Sequence, residues 1–141
     1  MATKSPLALT EYSILFFIFI YYCYIYSIHK LIIKAKEKFI RERQADFPMI
    51  EKMQNWIDQG FVWSMEGSVG REAMRGLESG MYFLPNKSFR NPYGQHIPSR
   101  EEIRIGTEGS LDNAYDFYND DLNLWELEME YDLNENYDSR V

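Results

Sequence analysis

The sequence predicts a mainly α-helical chain. One N-terminal transmembrane helix extends into an aqueous neck, followed by short helices and a long irregular arm without a large independent core. Three observations predict this layout. The mean hydropathy is -0.44 although 45% of residues are apolar, so the apolar residues are concentrated. Tyr12–Ile28 is a run of 17 residues without a charge. Charge is segregated: residues 1–50 carry 7 basic and 4 acidic side chains, and residues 101–141 carry 2 and 13.

Length and composition bound the rest. The 141 residues fit one domain with additions. A single cysteine, Cys23, excludes an internal disulfide and a cysteine-rich zinc site. Aromatics make up 16% of the chain, which is not a disordered composition. The net charge of -7 conceals a basic neck and an acidic tail. Nucleic acid is not an expected partner, because the basic stretch is short and abuts the apolar run.

The apolar run reads as a permanent membrane anchor. With Lys30 snorkelling, it extends from Tyr12 to Ile33, which is 22 residues. At ~1.5 Å per residue this covers a bilayer core of about 30 Å. It is apolar on every face, unlike the amphipathic core helix of a small soluble domain. It ends in Tyr-Ser-Ile-His-Lys, without the small-residue cleavage pattern of a signal peptide. Ser5 and Pro6 suit a helix start. Tyr21, Tyr22, Tyr24 and Tyr26 suit a membrane interface. Cys23 among them reads as a small apolar residue rather than a reactive thiol. Lys30, Lys34, Lys36, Lys38, Arg41 and Arg43 follow the span, so the positive-inside rule puts the C-terminal part in the cytosol or the mitochondrial matrix.

The same helix is expected to continue to about Ala45. Ile28, Ile32, Ala35 and Phe39 form a helical stripe, and Pro48 ends the run. Lys30, Lys34, Lys38 and Arg41 are candidate contacts to an anionic phospholipid such as cardiolipin. Pro48 opens a second helix with Met49, Ile50, Met53, Trp56 and Ile57 on one face, closed by Gly60. A third runs from Ser68 to Ser79, stopped by Gly80. The spacing of Gly67, Gly70, Gly76 and Gly80 is no nucleotide-binding loop and points to turns and close backbone approach.

Residues 81–98 contain Pro85, Pro92, Pro98 and Gly94, which predict an irregular strap. Ser99-Arg-Glu-Glu102 reads as a capping box for a short helix closed by Gly106. In the tail, Leu111, Tyr115, Tyr118, Leu122, Trp125 and Met129 recur at helical spacing, favouring a helix over 110–126. Leu127, Met129, Tyr131 and Leu133 alternate with acids, which favours a strand. The layout is therefore 1–11 N-terminal segment, 12–33 span, 34–47 basic neck, 48–80 amphipathic helices, 81–106 strap and 107–141 acidic aromatic tail. Trp56, Trp63, Phe89, Tyr93, Tyr118 and Trp125 are candidate partner-binding anchors, since aromatic side chains dominate interface energetics.

No catalytic motif is visible. His29 and His96 are the only histidines, and each reads as an ordinary loop or flank residue rather than a ligand. Asp112, Asp116, Asp120 and Asp121 lack the glycine turn and terminal Glu of a calcium loop. No cofactor, metal or enzymatic activity is expected.

Tyr12–Ile33, the neck Lys34–Ala45 and the strap Met81–Pro98 together resemble, as a class, the single-span supernumerary subunits of mitochondrial respiratory complexes or the ATP synthase. The resemblance implies a non-catalytic accessory subunit in the mitochondrial inner membrane, with complex I ahead of the others. Its C-terminal part would lie in the matrix, and its arm would staple other subunits of the complex. The alternative is a membrane-tethered adaptor whose acidic aromatic tail recruits a soluble partner.

Overall fold

A computed structural model describes residues 6–138, with side chains over 10–134. The expected Ser5 cap, the first residues of the 1–11 segment and the last residues of the tail lie outside the described residues. The described chain is mainly helical. Its elements are α1 (Pro6–Ala45), α2 (Pro48–Asp58), a 3-10 turn (Phe61–Ser64), α3 (Gly67–Ser79), β1 (Phe89–Arg90), β2 (His96–Ile97), α4 (Leu111–Asn119) and α5 (Asp121–Asp138). They form two compact units, one up to Ala35 and one from Lys36 onward.

The first unit is the apolar part of α1. At ~1.5 Å per residue the 40 residues of α1 run for about 60 Å. None of its 18-residue apolar window is buried. Phe16, Phe17, Phe19, Ile20 and Tyr22 are exposed around the whole circumference. A helix of this length and composition is apolar enough to cross a membrane, which is compatible with a single-pass membrane protein.

The second unit has a core of its own. Ile40 and Phe47 meet Ile50 and Ile57 of α2, Val62, Ala73 and Leu77 of α3, Leu111, Ala114 and Tyr118 of α4, and Leu127 of α5 as its buried apolar residues. Tyr82, Phe83 and Leu84 complete it. The start of the irregular segment, Tyr82–Leu84, is thus buried in this chain. Its backbone polar groups find partners without any secondary structure. The Tyr82 N–H donates to the Gly76 carbonyl at 3.1 Å, and the Leu84 N–H to the Gly109 carbonyl at 2.9 Å.

Between them, Phe83 is held by a side chain. Gln54 Oε1 accepts from the Phe83 N–H at 3.1 Å, and Gln54 Nε2 donates to the Phe83 carbonyl at 2.9 Å. Gln44 Nε2 donates to Gln54 Oε1 and to the Met81 carbonyl, each at 3.0 Å. The Tyr118 hydroxyl donates to the same Met81 carbonyl at 2.8 Å. Gln44 and Gln54 are 2% and 1% exposed, so these bonds are shielded from water. One node joins the end of α1, α2, the irregular segment and α4.

Two glycines allow close approach, Gly76 to this segment and Gly80 to α4. A Cβ on Gly76 would stand 2.0 Å from a Tyr82 ring carbon. Gly80 closes α3 at φ +96, and a Cβ there would stand 2.7 Å from the Asn113 carbonyl oxygen. The remainder of the arm forms a small antiparallel hairpin with Phe89 opposite Ile97 and Arg90 opposite His96. Asn91 Oδ1 accepts from the N–H groups of Tyr93 and Gln95 to shape its loop.

The expected helix after Ser99 is absent. Glu102 Oε2 does accept from the Ser99 N–H at 2.6 Å, as in a capping box. The chain then makes turns, because the stretch between Pro98 and Gly106 is too short to sustain a helical nucleus. From Leu111 to Asp138 the tail is helical, interrupted only at Asp120. Ser110 Oγ accepts from the Asn113 N–H to cap α4, and Asp120 Oδ1 accepts from the Leu122 N–H where α5 begins. The strand-like alternation at 127–133 is two helical rows. Leu127 and Tyr131 lie on one side of α5, Met129 and Leu133 on the other.

Gln54→Ala leaves the Phe83 amide and carbonyl without a buried partner and removes one of the two acceptors of Gln44 Nε2, which keeps the Met81 carbonyl. It is expected to cost about 3 kcal/mol, against less than about 0.5 kcal/mol for exposed Glu108→Ala. Denaturant unfolding of the full chain in detergent, followed by near-UV circular dichroism, reads the difference. Gly76→Ala is expected to lower stability by about 1–3 kcal/mol in the same assay, because the buried Tyr82 ring must move.

Candidate functional site

A chain of charges crosses the second unit beside Phe83. Asp58 Oδ2 accepts from Arg41 Nη1 at 2.9 Å, and Arg41 Nη2 donates to Glu37 Oε1 at 3.1 Å. Glu37 Oε2 accepts from Arg100 Nη2 at 2.9 Å. Both guanidiniums lie against the Phe83 ring, 5.0 and 5.7 Å from its centre. Burial alone would raise the Glu37 carboxyl. The hydrogen bonds and charges of Arg100 and then Arg41 outweigh burial and hold it below the ordinary carboxylate value. Each cation has an anion, so the row fixes α1, α2 and the arm and offers no free acid or base.

The lipid-contact candidates differ in their surroundings. Arg41 is half-buried and committed to Glu37 and Asp58. Lys30, Lys34 and Lys38 are exposed, with Lys38 3.8 Å from Glu42 and Lys30 against the Tyr26 ring. Lys36 pairs with Asp112 of α4.

The aromatic candidates separate in the same way. Tyr118 is fully buried and serves the core, so it is no docking anchor. Phe89 is half-buried over Gly60, where a Cβ would stand 2.5 Å from its ring. Trp56 is half-buried under Lys52, and the Trp63 indole N–H is buried without an acceptor among the described residues. Tyr93, at the hairpin tip, and Trp125, on α5, are the exposed ones.

Trp125 is not isolated. Leu122, Met129 and Leu133 are exposed on the same side of α5. In the sequence, Leu122, Trp125 and Met129 recur at helical spacing, whereas Leu127, Met129, Tyr131 and Leu133 read as a strand-like alternation. The doubled apolar period over 122–133 was the available signal. On its inner side α5 is anchored by buried Leu127 and by Tyr131, whose ring centre lies 5.9 Å from that of Phe47.

A groove of about 480 Å³ runs beside α5, lined by Phe47, Met49, Ile50, Tyr82, Leu127 and Tyr131 among others. Among the described residues, Glu72 and Glu130 are its charged lining residues. Glu72 is paired with Arg75 at 3.1 Å. Tyr82 is pushed up to about 12 by burial and by the negative charge of Glu72, so its hydroxyl stays protonated. Among the described residues no three His, Cys, Asp or Glu side chains gather to hold a metal ion. His96 Nε2 lies 3.1 Å from Glu102 Oε1 in an exposed pair.

The depressed Glu37 carboxyl predicts a pH dependence. Its contribution is fully present above the ordinary value of 4.5 and is lost as pH falls through the lower folded-state value. Unfolding measured from pH 7 downward is expected to show Glu37→Gln less stable than wild type at neutral pH. The gap should close below pH 4.5. A gap that stays constant with pH would contradict the ionic role of Glu37.

Comparison with known protein families, with curated protein sequences and with solved structures finds no match to this chain.

Proposed function

We infer that this chain is a non-catalytic, single-span accessory protein, held in a membrane by α1 and joined to a larger assembly through the unit that begins at Lys36. The observation that carries this reading is the α1 surface, apolar on all sides, with none of its 18-residue apolar window buried among the described residues. The setting that best suits the layout is a large respiratory complex of the mitochondrial inner membrane, complex I ahead of the ATP synthase. The basic flank Lys30–Arg43 supports a C-terminal unit on the matrix side. Lys30, Lys34 and Lys38 suit an anionic headgroup such as that of cardiolipin.

One observation favours a second reading. The unit from Lys36 onward carries its own buried core, so it does not need a neighbouring subunit to hold its arm. That is the property of a membrane-tethered adaptor. Native electrophoresis of mildly solubilised membranes separates the two. Co-migration of the tagged chain with a respiratory or ATP-synthase complex is the expected outcome. A small species, under conditions that keep those complexes intact, would favour the adaptor.

A further inference from the structure

Leu122, Trp125, Met129 and Leu133 are 71%, 59%, 45% and 68% exposed. Their spacing of three, four and four residues sets them in one row along three turns of α5, about 16 Å long. The opposite side of the same helix is already committed to the core through Leu127 and Tyr131. A continuous apolar row of this size on an aqueous surface marks an interaction site.

The row has charged borders of one sign. Helical geometry places Glu126 and Glu130 along one edge, Asp121 and Glu128 along the other. No lysine or arginine occurs between Arg104 and Arg140, so neither α4 nor α5 brings a cation of its own among the described residues. No ion pair to these four carboxylates is formed there.

We propose that the outer face of α5 is the docking site for an amphipathic helix of another protein, one whose apolar row is edged by lysine and arginine. The inference rests on the reading that the chain joins an assembly, and it names the chemistry of the partner. A single straight row of about three turns matches the contact made by one helix lying along another. The apolar rows exclude water at the centre, and the edges pair opposite charges as in the flanking positions of a coiled coil. A second copy offering this same face would set carboxylate against carboxylate. An anionic membrane surface is disfavoured for the same reason. Trp125, central and large, is the anchor.

The test uses the full chain in nanodiscs of phosphatidylcholine. The probe is a labelled synthetic helix of about 18 residues, with a leucine row edged by lysine and arginine, beside a twin edged by glutamate. Fluorescence anisotropy, corrected with empty nanodiscs, is expected to show saturable binding of the basic helix and none of its twin. Trp125→Ala with Met129→Ala should weaken binding at least about tenfold while leaving far-UV dichroism and the unfolding midpoint unchanged, because both side chains are exposed. Glu126→Gln with Glu130→Gln should weaken binding and flatten its salt dependence. Glu108→Gln, away from α5, should do neither.

Equal binding to wild type and to the Trp125/Met129 variant would overturn the proposal, as would no binding of the basic helix. Self-association of the chain that the same variant abolishes would assign the face to a second copy instead. These results are separable from the accessory-subunit reading. A chain that co-migrates with a large complex yet ignores the basic helix loses only this inference. A chain that binds the helix yet migrates alone keeps this face and loses the accessory reading.

Discussion

The fold from Lys36 onward depends on one side-chain amide. Gln54 meets both backbone polar groups of Phe83, as a neighbouring strand would, in a segment that has no neighbouring strand. Burying irregular backbone is costly unless every donor and acceptor is met. Gln54 meets two of them, Gln44 and Tyr118 share the Met81 carbonyl, and the flanking amides reach α3 and the turn before α4. Phe83 enters the core only because this polar frame exists. Arg41 and Arg100 then lie against its ring and tie α1, α2 and the arm through Glu37 and Asp58. The interior is thus a mixed one, in which the apolar side chains supply the drive and the amides supply the register.

The same economy explains the tail. A purely solvating acidic helix would carry no apolar rows, and a helix serving only the core would carry one. α5 carries two, on opposite sides. The inner row attaches it to the unit, and the outer row remains with carboxylates at its edges. Attachment and recognition are divided between two faces of a single helix. The candidate span follows a different rule, since a helix that lipid solvates needs no partner row of its own.

Much of the architecture was legible in the sequence because it rests on local signals. The limits of α1 at Pro6 and Ala45, the opening of α2 at Pro48 and the stop of α3 at Gly80 follow from proline geometry and left-handed glycine. The core was not legible, because its key residues are polar. Gln44 sits four residues after Ile40 and three before Phe47. Gln54 sits four after Ile50 and three before Ile57. Both occupy buried faces, where a hydrophobic pattern counts them as interruptions. Residues 81–98 were read as a strap on another protein for the same reason, since nothing local announces that Gln54 will satisfy Phe83. The candidate site was half legible. Trp125 and the acid-rich setting stood out, whereas Tyr118 and Arg41 carry interface chemistry that the fold spends on itself. The tail's alternation looked like a strand because two opposed helical rows, read together, leave a period near two.

The account stands on residues 81–84 being held inside this chain rather than by a partner. Amide hydrogen exchange of the isolated full chain in nanodiscs addresses that directly. The account predicts that the amides of Tyr82, Phe83 and Leu84 exchange as slowly as those of Ile57 and Leu77 in the core helices. Exchange of these three as fast as the exposed hairpin loop at Tyr93 and Gly94 would contradict it, and would return the segment to a strap that only another protein orders.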